Sequence, residues 1–180
     1  AAQDTDADDA PLSAAAFDKP SAGGSAAGPL NWPPEGWQEE LSFATACEVA
    51  LASGRPLRLS PGATAELEEP IVLRRNQDAL TVIGDGNCII EGSGHCVFKL
   101  AGKRSRLFLI GVTIRHIAQT GTGDGSDVGG ALFLMGRSRA ELQDATVTSV
   151  NGLGIWMVQS ATCSAQASRV IDCGRSGVAM

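Results

Sequence analysis

The stretch VTSVNGLGIWM, residues 147–157, decides the fold because the chain repeats its layout 23 residues later as VIDCGRSGVAM, residues 170–180. Small, apolar and glycine positions nearly coincide between the two stretches. A layout that recurs at a fixed period is typical of repeat proteins, in which each repeat packs against the next one. The sequence therefore predicts a repeat architecture, and further copies should lie upstream.

The repeat extends backward through most of the chain. Leu132, Ile155 and Val178 fall in one column, since 23 residues separate each from the next. At the same offset Leu142 aligns with Ala165, Val147 with Val170, Val150 with Cys173, and Gly154 with Gly177. An offset of 33 aligns Leu107 with Ala140, Leu109 with Leu142, Ile114 with Val147 and Ile117 with Val150, and an offset of 27 aligns Leu80 with Leu107 and Val82 with Leu109. The longer offset fits a loop within QTGTGDGSDVGG, residues 119–130.

Short strand-like runs such as ALTVIG, CVFKL and RLFLIGVTI, separated by Gly, Asn, Asp or Ser, occupy each repeat. Three short strands per turn, with Leu, Ile, Val, Ala and Cys pointing inward, predict a parallel β-helix in which each strand hydrogen-bonds to its equivalent one turn away. We expect about four to five turns, which a strand spacing of about 4.8 Å makes a prism roughly 20 Å tall. A left-handed hexapeptide β-helix is the structural competitor, but it repeats every 18 residues or so.

Residues 38–180, with an amphipathic helix followed by LRLSPG and LTVIGDG, resemble the right-handed parallel β-helix proteins of the pectate-lyase-like superfamily. The resemblance implies a right-handed coil. It leaves function open, because the superfamily contains polysaccharide enzymes, adhesins and non-enzymatic interaction domains. The NTD, GHG and RxPxxR elements of its enzymes are absent from this sequence. We therefore expect a non-catalytic member, with no catalytic residue.

The chain divides into three segments. Residues 1–37 begin with Ala, Asp, Gly, Ser and Pro, a composition that favours a flexible arm or one draped over a partner. Residues 38–54 contain a predicted helix over 39–53 that caps the first turn. Residues 55–180 form the β-helix, which we expect to be open at the Met180 end. Either another chain docks on that end or more residues follow it.

Composition restricts the partners and the compartment. The 14 basic and 20 acidic residues give a net charge of −6, which disfavours nucleic-acid binding. No apolar run is long enough for a transmembrane helix, and no secretory leader pattern opens the sequence. The unpaired cysteines and the Ala- and Asp-rich start slightly favour a processed organellar protein over a secreted one.

Five cysteines, an odd number without a CxxC pair, predict reduced, buried side chains. A bridge between Cys88 and Cys96 is the main alternative. We expect no cofactor and no metal site.

The titratable candidates give little support for catalysis. Asp144 and Asp172 lie in successive turns without sharing a column, so each fits a turn residue at a strand edge. His95 and His116 lie in turn positions without Ser or Cys partners at a recognisable spacing, which favours surface positions for both.

The inserted loop GTGDGSDVGG, residues 121–130, carries Asp124, Ser126 and Asp127, whose oxygens suit calcium. The loop lacks the EF-hand pattern and a phosphate-binding motif. Three interpretations remain: a plain flexible insertion, a partner contact or a metal site, with the plain insertion favoured.

The outward positions of one sheet are the strongest candidates for binding. Val72, Lys99, Phe133, Trp156 and Ala179 form an outer column, and Met135 and Val158 flank it. An exposed apolar patch around Phe133, Met135, Trp156 and Val158 predicts a partner, unless a loop or the arm covers it. We expect a non-catalytic interaction or scaffold module, held in a larger assembly by protein subunits at this column, at the Met180 end and along the N-terminal arm. A carbohydrate-binding or polysaccharide-processing protein is the alternative, with a sugar stacked on Trp156.

Overall fold

A computed structural model describes residues 28–33, 41–117 and 129–180, and this part of the chain contains one helix and fourteen strands. The helix, α1, spans Phe43–Ser53. The strands are β1 Leu30–Trp32, β2 Leu57–Leu59, β3 Thr64–Leu67, β4 Ile71–Leu73, β5 Ala79–Gly92, β6 Cys96–Leu100, β7 Arg106–His116, β8 Gly130–Leu134, β9 Arg139–Gln143, β10 Thr146–Ser149, β11 Leu153–Met157, β12 Thr162–Gln166, β13 Arg169–Cys173 and β14 Val178–Ala179.

All strand pairs among the described residues are parallel, and each strand pairs with its equivalent in the neighbouring turn. One sheet runs in the order β1, β2, β5, β7, β10, β13, with β3, β9 and β12 attached to it. The second sheet runs β4, β6, β8, β11, β14. The molecule is a parallel β-solenoid of about five turns, so the predicted fold is confirmed.

The predicted columns match the observed strand register. Ile155 lies opposite Leu132 on one side and Val178 on the other. The offset of 33 is also confirmed, since Leu107 pairs with Ala140 and Ile114 pairs with Val147. These positions recur because each side chain must enter the core directly above its equivalent in the previous turn.

One predicted pair is wrong. Cys173 lies opposite Ser149 rather than Val150, because the register shifts between Val147 and Ser149. Strand β13 contains an additional residue there, and Asp172 has a left-handed backbone with φ of 51°. A bulge of this kind changes the pairing by one residue without changing the repeat length.

The core is a narrow column of aliphatic side chains between the two sheets. Rungs of leucine on the second sheet, Leu73, Leu100 and Leu134, are fully buried and lie opposite one another in register. Phe98 is the largest fully buried side chain. Small and branched aliphatic residues fill most of the remaining interior.

Helix α1 packs on the first turn through the face predicted from its spacing: Phe43, Ala46, Cys47 and Ala50 are all buried. The helix begins after Ser42, whose hydroxyl accepts a hydrogen bond from the Thr45 N–H, so its start lies later than predicted. It ends at Gly54, which adopts the left-handed conformation that glycine permits.

The described part of the predicted arm is structured. Strand β1 pairs with β2, and Trp32 packs edge-on against Phe43 with 5.2 Å between ring centroids. The Trp32 indole N–H also donates to the Leu41 carbonyl. The three residues of β1, which the sequence analysis assigns to the arm, therefore belong to the solenoid, because Trp32 packs against Phe43 of the capping helix. The rest of the arm lies outside the described residues.

The last turn is more exposed than the turns before it. Val178 continues the column of the buried Ile155 but is 48% exposed, and Met180 is 97% exposed. Ile171 on β13 is 44% exposed. A partner on this turn stays a prediction.

All five cysteines are free, so the alternative Cys88–Cys96 bridge is not formed. Cys47, Cys88 and Cys96 are buried, and Cys163 and Cys173 are half-buried. Burial raises the pKa of the Cys96 and Cys163 thiols to about 11, which keeps them protonated. These side chains act as small apolar core residues.

Candidate interaction surface

The outer column predicted from the sequence exists as a ladder of side chains on the second sheet. Lys99 pairs with Val72 on one side and with Phe133 on the other. Trp156 pairs with Phe133 and then with Ala179. The repeat has therefore placed one residue from each of five strands in a single row that follows the solenoid axis.

The two aromatic side chains of this row are stacked. The ring centroids of Phe133 and Trp156 are 4.6 Å apart, with 28° between the ring planes. This separation matches the spacing of about 4.8 Å between neighbouring strands. The rings therefore lie across the axis, with their faces toward the neighbouring turns and their edges outward.

A cation lies at one end of this stack. The Lys99 ammonium is 5.5 Å from the centroid of the Phe133 ring, within the range of a cation–π contact. The ring face has a negative potential, so the charge stabilises the side of Phe133 that Trp156 does not cover. Lys99 was recognised as a column member in the sequence, but its contact with the ring was not.

Met135 and Val158 follow β8 and β11 and flank the stack. The Met135 N–H donates to the Leu100 carbonyl and the Val158 N–H to the Leu134 carbonyl, which continues the ladder of main-chain hydrogen bonds past the strand ends. Phe133, Met135, Trp156 and Val158 are all half-buried. The patch is less open than the sequence suggests, because each stacked ring covers a face of its neighbour.

Outward positions elsewhere carry ion pairs. On the first sheet Arg115 contacts Glu91 at 3.2 Å, and Arg139 contacts Glu141 at 3.0 Å. Phe108 on that sheet is half-buried and lies opposite Glu141 and Thr81 rather than another aromatic ring. Among the described strands, Phe133 and Trp156 are the one stacked aromatic pair on an outer face.

The prediction of a surface position for His116 is wrong. Its side chain is fully buried, with Nδ1 2.9 Å from the Ser149 Oγ and Nε2 3.0 Å from the Gly94 carbonyl oxygen. The carbonyl can only accept, so Nε2 carries the proton and the neutral ring accepts the Ser149 hydroxyl proton at Nδ1. Alternation from Ile114 places His116 on the inward face, and this signal in the sequence could have identified the position.

The buried pair of His116 and Ser149 does not form an accessible nucleophile, since both side chains have no exposed surface. Desolvation lowers the pKa of His116, the hydrogen bond to Gly94 opposes that change, and the charge of His95 adds to it. The predicted exposed position of His95 is confirmed.

Asp144 and Asp172 are both exposed, with φ of 50° and 51°. Asp144 lies between β9 and β10, as a turn residue should, whereas Asp172 lies at the bulge within β13, so the turn position predicted for it is wrong. The Asp144 N–H donates to the carbonyl of Gln166, which lies in the next turn of the solenoid. Their left-handed backbone explains the residue type, because aspartate tolerates this conformation better than most residues. The candidates Asp124, Ser126 and Asp127 lie outside the described residues.

Neither a cluster of metal ligands nor a membrane-spanning helix occurs within the described ranges. No group of three or more His, Cys, Asp or Glu side chains there could hold a metal ion. No helix in that part of the chain has the length and hydropathy needed to cross a bilayer.

Comparison with known proteins adds no relative. No family model, curated protein or solved structure matches the chain.

Proposed function

We propose that this chain is a non-catalytic protein-interaction module, a subunit of a larger assembly, that binds its partner through the outer column around Phe133 and Trp156. The observation that supports the proposal is the stacked pair, flanked by Met135 and Val158 on a sheet that is otherwise a regular solenoid wall. Aromatic residues and methionine are enriched in the centres of protein interfaces.

The stack is rigid before binding. Each ring is held by its neighbour, and the strands beneath are fixed by hydrogen bonds on both sides. A preformed apolar row loses little side-chain entropy when a partner covers it. The exposed ring edges, together with Met135 and Val158, provide the adaptable contact that a protein surface needs.

Within this proposal, the chain is a non-catalytic member of the pectate-lyase-like superfamily. The parallel solenoid and the helix before its first full turn support that assignment. Carbohydrate binding is the second candidate, and the observation that favours it is the indole of Trp156, whose second face is not stacked on any aromatic ring of the described chain. Sugar rings pack on such faces.

Affinity purification of the tagged full chain from its source, followed by quantitative mass spectrometry, tests the proposal. Trp156→Ala and Phe133→Ala should each deplete the same protein about 30-fold or more, which corresponds to the cost of about 2 kcal/mol that defines an interface hot spot. Phe108→Ala is the matched control because Phe108 is also an outward, half-buried phenylalanine, but on the first sheet.

The same variants are placed on a glycan array, and circular dichroism establishes that each has folded. The proposal requires a protein that both column variants lose and the Phe108 variant retains. If there is no such protein, the proposal is wrong. Glycan binding that depends on Trp156, without any such protein, would favour the carbohydrate candidate.

A further inference from the structure

One corner of the solenoid carries a ridge of basic side chains. The turns of this corner lead from β4 to β5, from β6 to β7 and from β8 to β9. Six exposed residues of these three successive turns form the basic ridge: Arg74, Arg75, Lys103, Arg104, Arg106 and Arg137. None of the six forms an ion pair with another residue of the described chain, whereas Arg139, which follows them, pairs with Glu141.

The turns of this corner are stacked in register, so their charges lie one above another. The Gln77 N–H donates to the Lys103 carbonyl at 3.1 Å, and the Lys103 N–H donates to the side-chain oxygen of Asn76 at 3.0 Å. Arg106 and Arg139 are direct partners in the strand register. Like charges directly opposite one another are unfavourable in a sheet. The fold therefore holds together positive charges that a bound anion would stabilise.

The acidic side chains of this corner are already engaged. Asp78 is half-buried, and its carboxylate accepts a hydrogen bond from the Arg75 main-chain N–H at 2.8 Å. The Glu141 carboxylate lies 3.0 Å from the Arg139 Nε. The described part of the chain carries 13 basic and 10 acidic side chains, so acidic side chains outnumber basic ones outside the ridge. The ridge is the place where the excess positive charge of the solenoid is concentrated.

The chain itself supplies an acidic segment, which lies outside the described residues. Residues 4–9, DTDADD, carry four aspartates, and the other charged residues before Gly28 are Asp18 and Lys19. Carboxylates form short, charge-assisted hydrogen bonds with guanidinium groups, often two at a time. The segment is therefore complementary in charge to the ridge.

The chain also enters the solenoid at the edge where the ridge lies. Strands β1, β2, β5, β7 and β9 are parallel, so all of them begin at the same edge of the first sheet. Gly28 lies at that edge, because its carbonyl accepts a hydrogen bond from Arg55 Nε at 2.8 Å, just before β2. The three ridge turns precede β5, β7 and β9, which lie two to four rungs from β1, roughly 10–20 Å.

The length of chain before Gly28 fits this distance. Eighteen residues lie between Asp9 and Gly28. A coil of that length has a root-mean-square span of roughly 23 Å. A tether whose span matches the separation of two sites gives an effective concentration in the millimolar range, so a contact of millimolar affinity is populated.

We propose that the basic ridge binds the acidic segment at residues 4–9 of the same chain. An external acidic ligand must then displace this segment before it reaches the ridge. The ridge is separate from the outer column around Phe133 and Trp156, so the inference does not depend on the proposed function.

Carbodiimide cross-linking of the full chain, read by mass spectrometry, tests the contact because the reagent joins a carboxylate directly to an amine. The sequence holds three lysines, Lys19, Lys99 and Lys103, and Lys103 alone belongs to the ridge. At low salt and low protein concentration we expect residues 4–9 to be joined to Lys103. The yield should fall at least about fivefold in 1 M NaCl, where the Debye length is only about 3 Å. A yield that does not change with salt would overturn the proposal.

Two matched variants locate the contact. The ridge variant removes three charges but keeps Lys103 and the aspartates: Arg104→Gln, Arg106→Gln and Arg137→Gln. The control variant removes three charges from exposed positions outside the ridge: Arg58→Gln, Arg169→Gln and Arg175→Gln. The ridge variant should lose at least about fivefold in cross-link yield relative to the control variant, since short-range pairing and not net charge holds the segment. Equal yields in two folded variants would overturn the proposal, and the salt dependence of the wild type decides if the ridge variant does not fold.

Mixing isotope-labelled and unlabelled chains identifies the source of the segment. Cross-links within one chain join peptides of the same label. Links that join a labelled to an unlabelled peptide would show that a second copy supplies the segment, and they would overturn the contact within one chain.

A fluorescent hexa-aspartate peptide probes the ridge from outside. Replacing the four aspartates of residues 4–9 with asparagine should strengthen its binding about threefold or more, because the segment no longer competes. The ridge variant should abolish this gain. Equal binding to the wild type and the asparagine variant would show that the ridge is unoccupied, and the proposal would be wrong.

Discussion

At the scale of single residues, His116 is the position where a polar group is built into the core. Its two ring nitrogens contact the Ser149 hydroxyl and the Gly94 carbonyl, so the neutral ring satisfies both partners without water. Burial of the ring makes proton binding at His116 less favourable. Burial disfavours the charged ring, and the pKa of His116 in the folded chain lies below its usual value.

The stability of the protein should therefore decrease below neutral pH. The unfolded chain binds a proton at His116 near pH 6.5, whereas the folded chain binds it only at lower pH. The contribution of His116 is fully present above pH 6.5 and is lost as the pH falls toward the folded pKa, at up to about 1.4 kcal/mol per pH unit. Urea unfolding at pH 7.5 and 5.5 measures it. His116→Gln should lose less stability between the two pH values than the wild type, and equal losses would contradict the prediction.

Residue-level features also show where sequence pattern is informative. Inward apolar positions could be predicted because burial imposes the same residue type on every turn, and Ile155 illustrates this with partners on both sides. The partners of His116 could not be predicted, because the Gly94 carbonyl and Ser149 meet it only through the pairing of three turns. No periodic pattern identifies a hydrogen bond to a main-chain carbonyl.

At the scale of elements, β5 is a strand with a corner inside it. Its first part pairs with β2 and its second part with β3, and the register shifts between Ile83 and Cys88. Within the corner, the Asn87 N–H donates to the Asp85 carboxylate, and the Cys88 thiol lies 3.2 Å from the same oxygen. Residues 84–86, Gly-Asp-Gly, thus form a structural corner within β5.

Gly84→Ala should destabilise this corner. A Cβ at Gly84 would lie 2.6 Å from the Gly111 carbonyl oxygen and 2.8 Å from a Val112 methyl group, so the main chain of two turns must separate. We expect a loss of about 1–3 kcal/mol in the free energy of unfolding, measured by urea denaturation. Gly28→Ala is the control because nothing lies within 4 Å of that position. Equal stability of the two variants would refute the steric argument.

Elements also show what the repeat could not predict. The bulge in β13 moves Cys173 from Val150 to Ser149, although the offset of 23 residues is kept on either side of it. The additional residue in β13 is offset by one residue fewer later in the same turn. The 23-residue period of the sequence therefore does not reveal the bulge. The stacking of Phe133 on Trp156 was similarly hidden, because the column predicts adjacency but not the orientation of the rings.

At the scale of the whole molecule, stability should vary along the solenoid axis. Each turn contacts only its neighbours, and β7 has hydrogen-bonded partners on both sides, whereas β13 pairs with β10 alone among the described strands. Solenoids of this kind lose their end turns most easily.

Hydrogen–deuterium exchange of the 180-residue chain, read by mass spectrometry, measures this gradient. Main-chain amides of β7 should exchange at least about 100-fold more slowly than those of β13, since opening an end turn breaks contacts on one side only. Uniform protection along the axis would instead indicate that the solenoid unfolds as one cooperative unit.

The segment between β7 and β8 has a consequence for protein engineering. The segment joins β7 to β8. The register of His116 in β7 is fixed by Ser149 of β10, and the register of Gly130 in β8 is fixed by Cys96 of β6, so neither depends on the segment. Loop closure becomes only slightly less favourable as a loop lengthens. A foreign peptide grafted between residues 117 and 129 would therefore leave the neighbouring rungs aligned, which makes the solenoid a carrier for displayed sequences.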